Sequence, residues 1–164
     1  MKKILFSNFF VIVLTLVFST SAFSSLNTPE EKADEYEPNN TPEEAVYFEN
    51  HSVLEQGHII QAYIAPDDLD YYLFYTPTSA LQLVIFYAPD NQNYLVSIFL
   101  ASELLDRKPG EEVPSIVKTY TNGELGVILP FHPIAQEKYI VLVEGYDGAH
   151  NEKDRYTLIA HQTR

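Results

Sequence analysis

Residues 35–40 read Glu-Tyr-Glu-Pro-Asn-Asn, with carboxylates at Glu35 and Glu37 and amides at Asn39 and Asn40. About thirty residues on, Asp67 and Asp70 flank a tight corner entering the apolar run at 70–75. Oxygen-only donors of this kind suit calcium, which takes roughly six to eight oxygen ligands, carboxylates supplemented by amide or backbone carbonyls. Alternate side chains of an extended segment point the same way, so Glu35, Glu37 and Asn39 can converge on one ion. Asn40 follows from the turn, and the two aspartates meet the set from the other side. Taken alone, either stretch is also what a solvated acidic loop looks like.

A second set of candidates is aromatic. The chain holds 12 tyrosines, a residue that offers a large contact area and a hydroxyl at low entropic cost. Tyr71, Tyr72, Tyr75, Tyr139 and Tyr156 lie within apolar runs and are expected in or beside a core. Tyr87, Tyr94 and Tyr120 fall near the ends of such runs and are the candidates for a ligand-binding face.

Other chemistries find no support in the sequence. There is no His-Glu-x-x-His pair for zinc, no Gly-x-Ser-x-Gly elbow and no glycine-rich phosphate loop. His51, His58, His132, His150 and His161 are scattered without ligand spacing. With no cysteine there is no thiol nucleophile, thiolate site or disulfide scaffold. The formal net charge of −13 makes nucleic acid an unsuitable partner, because phosphate binding needs the opposite sign. Carboxylate pairs of the glycosidase kind remain open in a chain with 23 acids.

The elements that must position these residues are strands. Nine short runs, at 46–48, 58–64, 70–75, 80–87, 94–101, 115–120, 124–129, 138–145 and 155–161, are rich in β-branched and aromatic residues. Stretches such as Ala-Pro-Asp and Thr-Asn-Gly separate them. From 138 to 146, Tyr139, Val141 and Val143 alternate with Ile140, Leu142 and Glu144, while 81–88 is apolar on both faces, as in a central strand. Thr41-Pro42-Glu43-Glu44 has the composition of a helical N-terminus and predicts a single turn before Val46. The expectation is an all-β, antiparallel sandwich of eight or nine strands.

Ahead of these runs, Lys2 and Lys3 precede an apolar stretch from Ile4 to Phe18 that ends in small and polar residues. This reads as a signal peptide over 1–24, with cleavage before Ser25 and Ala22 and Ser24 as the small residues the cut requires. Its loss makes the chain two charges more negative. Residues 25–34 read as an acidic linker and 35–164 as one domain. The mature protein is expected in the periplasm or outside the cell, with no membrane association after cleavage.

Three stretches, 34–48, 67–76 and 138–160, resemble in order and approximate spacing the signatures of bacterial pre-peptidase C-terminal domains, a family that includes the collagen-binding domains of bacterial collagenases. The resemblance covers about residues 34 to 161. It implies a jelly-roll-like sandwich, export and, in the calcium-binding members, a site joining the acidic N-terminal segment to the loop before the Asp-Tyr-Tyr strand. Carried over by position, the ligands are Glu35, Glu37, Asn39, Asn40, Asp67 and Asp70, with Asn40 standing where an acid is often found. In the family the domain usually trails a secreted hydrolase, whereas here it follows the leader directly.

The leading expectation is therefore an exported, non-enzymatic calcium-binding module for a protein or polysaccharide. Two alternatives are an accessory partner of a secreted hydrolase, acting as chaperone or inhibitor, and a small hydrolase with an unrecognised carboxylate site.

Overall fold

Runs with an apolar period of two become strands when one face is buried, and here two such faces close on each other. The computed structural model describes residues 35–52 and 59–163. The expected signal peptide and linker lie outside the described residues. Ten strands are present among those described: β1 (Val46–Tyr47), β2 (His51–Ser52), β3 (Ile60–Ile64), β4 (Leu69–Thr76), β5 (Gln82–Tyr87), β6 (Tyr94–Leu100), β7 (Val117–Tyr120), β8 (Gly126–Phe131), β9 (Glu137–Gly145) and β10 (Asn151–Gln162). Nine coincide with the runs read from sequence. The tenth, β2, is two residues long.

One sheet has the order β1-β4-β9-β6-β7, and the other β2-β10-β5-β8, with β3 also on β10. Leaving aside the two-residue strands, the chain alternates between sheets at almost every connection. The resulting orders, β4-β9-β6-β7 facing β3-β10-β5-β8, are those of an eight-stranded jelly roll. The long strands pair antiparallel, whereas β1 joins β4 and β2 joins β10 in parallel.

Alternation along β9 is visible in two separate cores. Tyr139, Val141 and Val143 enter the main core between the sheets, with Phe48, Tyr72, Phe74, Phe86, Tyr94, Tyr156 and Leu158 among their neighbours. Ile140 faces outward into a smaller cluster with Tyr71, Ala101 and Leu104, which Leu142 also joins. This outer cluster exists because a five-residue helix, α1 (Ala101–Leu105), follows β6 and lays Ala101 and Leu104 on the sheet. Sequence periodicity did not reveal α1, since five residues are too few to show a 3.6-residue repeat.

The turn predicted before Val46 is a 3₁₀ turn at Pro42–Glu44. Its Thr41 hydroxyl caps no backbone N–H and instead donates to Glu44 Oε2 at 2.9 Å. No helix of the described residues is long and apolar enough to cross a membrane.

Candidate metal centre and ligand face

The candidate centre lies where the N-terminal segment meets the start of β4. Ala65-Pro66-Asp67-Asp68 forms a β-turn closed by Asp68 N–H donating to Ala65 O at 3.3 Å. Pro66 presets the second position, and Asp67 takes the third with φ of 61°, a left-handed conformation that aspartate tolerates. Asp67 is exposed as a result. Asp68 follows the turn, and its carboxylate accepts from Ala65 N–H at 3.3 Å and Leu69 N–H at 3.0 Å.

Two residues later comes Asp70, on the inward face of β4 and fully buried. Its Oδ2 accepts from Tyr156 OH at 2.7 Å, and Tyr156 OH lies 2.6 Å from Tyr72 OH. The chain of groups therefore runs from β4 to β10 and back, across both sheets. Complete burial pushes the Tyr156 phenol well above its ordinary pKa, and the Asp70 charge adds to this, so Tyr156 stays a hydrogen-bond donor.

From the other side comes the segment predicted to dock. Glu37 is half-buried, and its Oε2 accepts from Asn39 N–H at 3.2 Å and Asn40 Nδ2 at 3.1 Å. The Glu37–Pro38 peptide is cis. Asn39 O accepts from Tyr71 N–H at 3.0 Å, and Asn40 Oδ1 from Leu69 N–H at 3.4 Å, so this segment is fastened to the first residues of β4. Oxygen atoms of Glu37, Asp68 and Asp70 all lie within 4.8 Å of one another. Such a cluster could hold a metal ion.

Asn39 is the second feature of the centre. Its side chain is completely buried, yet neither Oδ1 nor Nδ2 has a hydrogen-bond partner. A buried polar group left without a partner costs about 1–3 kcal/mol, so an arrangement that keeps one calls for a ligand or water there. The donors at hand are all oxygens, which fits a hard cation.

Of the six ligands expected from sequence, the structure gathers Glu37 and Asp70 in the carboxylate cluster, buries Asn39 and uses Asn40 to brace the segment. Glu35 and Asp67 are exposed and outside the cluster. Asp68 was missed. Its signal was the period of two: once β4 begins at Leu69, Asp68 and Asp70 share a face and Asp67 does not.

The three tyrosines expected on a ligand face lie in different settings. Tyr87 is 51% exposed on β5, its ring against Gly126 of β8, where a Cβ would meet the ring at 3.0 Å. Tyr120 packs edge-on to Tyr146 with ring centroids 4.8 Å apart. Tyr94 is a core residue, 0% exposed, and not on the surface where it was expected. It opens β6 on the inward face, and its hydroxyl donates to Asp90 Oδ1 at 3.1 Å, anchoring the β5–β6 loop. Burial, aided by Asp90, raises its pKa far above the usual tyrosine value.

No family model matches the sequence, and no curated protein does. Among solved structures, the chain is similar to the pre-peptidase C-terminal domain of a collagenase from Bacillus anthracis, with a TM-score of 0.54 and 19% identity, over 74% of this chain and 99% of that one. It also matches PliG of Aeromonas hydrophila, a periplasmic inhibitor of g-type lysozyme, with a TM-score of 0.38 and 14% identity, over 71% and 96% of the two chains. The first likeness shows the fold, which is that of a pre-peptidase C-terminal domain.

Proposed function

We propose that the protein is an exported, non-enzymatic module that binds calcium through Glu37, Asp68, Asp70 and the Asn39 carbonyl, and that its surface binds a protein or polysaccharide. The observation that carries the calcium half is Asn39. Three converging carboxylates alone are common on acidic proteins, but a fully buried, unpartnered carboxamide on the same segment is not. Its Oδ1 supplies the neutral oxygen that calcium sites combine with carboxylates. The same donor set lacks the imidazole or thiolate favoured by zinc.

Bound calcium would neutralise the mutual repulsion of the three carboxylates and fasten residues 35–40 to β4. Export rests on the leader sequence, and of the three tyrosines expected on a ligand face, Tyr87 is the exposed one. Thermal melting of the protein in calcium and in chelator tests the metal. A ligand bound only by the native state at a hundredfold excess over Kd adds about 2.7 kcal/mol, or roughly 5–10 °C for a domain of this size. Magnesium should do less, being small and octahedral. The shift should vanish in Asp70→Asn and persist in Asp106→Asn, an acid remote in sequence from the cluster. Equal melting temperatures with calcium and chelator would leave the segment as a solvated linker.

A further inference from the structure

The outer face of the β4-β9-β6-β7 sheet is only partly covered by α1. Beyond the helix the sheet surface of β9, β6 and β7 forms the floor of a groove of about 480 Å3, walled by residues 112–115. Leu95, Phe99 and Leu142 line its floor beside Ser97 and Lys118, and Glu144 stands among them. In register, Glu144 is flanked by Leu69 on β4 and Leu95 on β6, so its strand neighbours offer no polar side chain. Among the described residues the Glu144 carboxylate makes no hydrogen bond and no ion pair, Lys118 included, and partial burial raises its pKa. A partly buried carboxylate that the groove's own Lys118 does not pair with is costly unless something arrives to meet it.

We propose that this groove receives a lysine or arginine side chain from a basic segment of a protein partner. The aliphatic stem lies along Leu95, Phe99 and Leu142, and the ammonium or guanidinium meets Glu144, dividing the side chain as such residues divide elsewhere between apolar surface and charge. A neighbouring cavity of about 270 Å3 on the other side of residues 112–114 extends the match. It is lined by Glu103, Asp106, Glu111 and Glu112 against a single cation, Arg107. A segment carrying further cations can therefore continue across the ridge, and a net charge of −13 draws it in. This inference rests on the binding-module reading but not on its calcium half.

The probe is n-butylguanidinium, titrated into the 15N-labelled protein and followed by amide shifts, with n-butanol as the uncharged counterpart. The expected result is saturable shifts centred on Leu95, Phe99, Leu142 and Glu144, weakened at least about threefold in Glu144→Gln, the scale of one partly exposed ion pair. The same spectra report whether that variant is folded. Undiminished binding in Glu144→Gln overturns the proposal. So do shifts scattered over other acids, no shifts at all, or n-butanol binding as well as n-butylguanidinium, which assigns the groove to an apolar ligand. Each titration is run with calcium and with chelator. Failure here with the calcium melting shift intact removes the groove alone, and loss of that shift with the titration intact removes only the metal.

Discussion

Two regions of this molecule hold carboxylates partly out of water, and they do so in opposite ways. At the N-terminal corner Glu37, Asp68 and Asp70 share a space within 4.8 Å, and each accepts hydrogen bonds from backbone or tyrosine. On the outer sheet face Glu144 stands among Leu95, Phe99 and Leu142, in a groove that Lys118 also lines, and its carboxylate makes no hydrogen bond or ion pair among the described residues. Concentrated negative charge with oriented lone pairs suits a small, doubly charged ion that exchanges its water for protein oxygen. A single carboxylate beside leucine and phenylalanine suits a large, singly charged organic group that brings its own apolar surface. Charge density and the polarity of the walls, rather than the number of acids, separate the two.

The largest effect expected is at Asn39. Replacement by leucine, which has the same four branched side-chain heavy atoms, removes two unpartnered buried polar atoms, so the calcium-free protein should melt no lower than the parent and gain up to about 1–3 kcal/mol. The calcium-induced rise of roughly 5–10 °C should disappear in the same variant. Parallel melts in calcium and chelator check both halves. A retained calcium shift would show that the carboxamide is not a ligand.

A smaller effect is expected at Tyr156→Phe. This leaves the buried Asp70 Oδ2 without the hydroxyl 2.7 Å away and also removes the contact to Tyr72. A hydrogen bond to a charged group contributes about 1.5–3 kcal/mol, so the calcium-free melting temperature should fall by roughly 3–8 °C. The corner then differs from the groove in relying on a donor from the opposite sheet. A melt indistinguishable from the parent would erase that difference.

The smallest effect, opposite in sign, belongs to Glu144→Gln. Burial raises the folded pKa of Glu144 above the ordinary glutamate value, so its contribution to stability is fully present below that ordinary value and is lost as pH rises through the folded pKa. Tyr71, Glu112 and Lys118 are the titratable groups that face this region from β4, the wall and β7. The glutamine variant, which keeps no charge at high pH, should melt about 1–2 °C above the parent at neutral pH, a fraction of a kcal/mol for a screened group. That gain should vanish near pH 4. A lower melting temperature at neutral pH would mean that Glu144 already has a partner within the protein.

The strand runs were legible because burial on one or both faces writes a period of two into the sequence, and β9 displays it from Tyr139 to Glu144. The helix α1 was not legible, because its five residues rest on contacts with Tyr71 and Ile140 that are distant in sequence. At the corner, composition pointed to Glu37, Asn39 and Asp70, but the choice between Asp67 and Asp68 depended on where the turn ended and β4 began. Tyr94 was misplaced for a related reason: a position near a strand end says nothing about which face it occupies. Glu144 was placed opposite Val143 by alternation, but the apolar wall at 112–115 comes from a loop that sequence pattern does not place.

The N-terminal segment also has a bearing on solubility. Along its length it covers the open edge of β4: Asn39 O takes Tyr71 N–H, β1 lies beside Tyr72 and Leu73, Phe48 N–H reaches Leu73 O, and the Asn50 amide reaches Tyr75 O. Three residues after β1 the same stretch enters β2 and lies beside β10 of the other sheet. Lifting this strap would bare strand edges whose free backbone groups are templates for another chain. A cation that fastens residues 35–40 would then act at a distance as a guard against self-association, and withdrawing it would be felt first as aggregation, before any loss of the core.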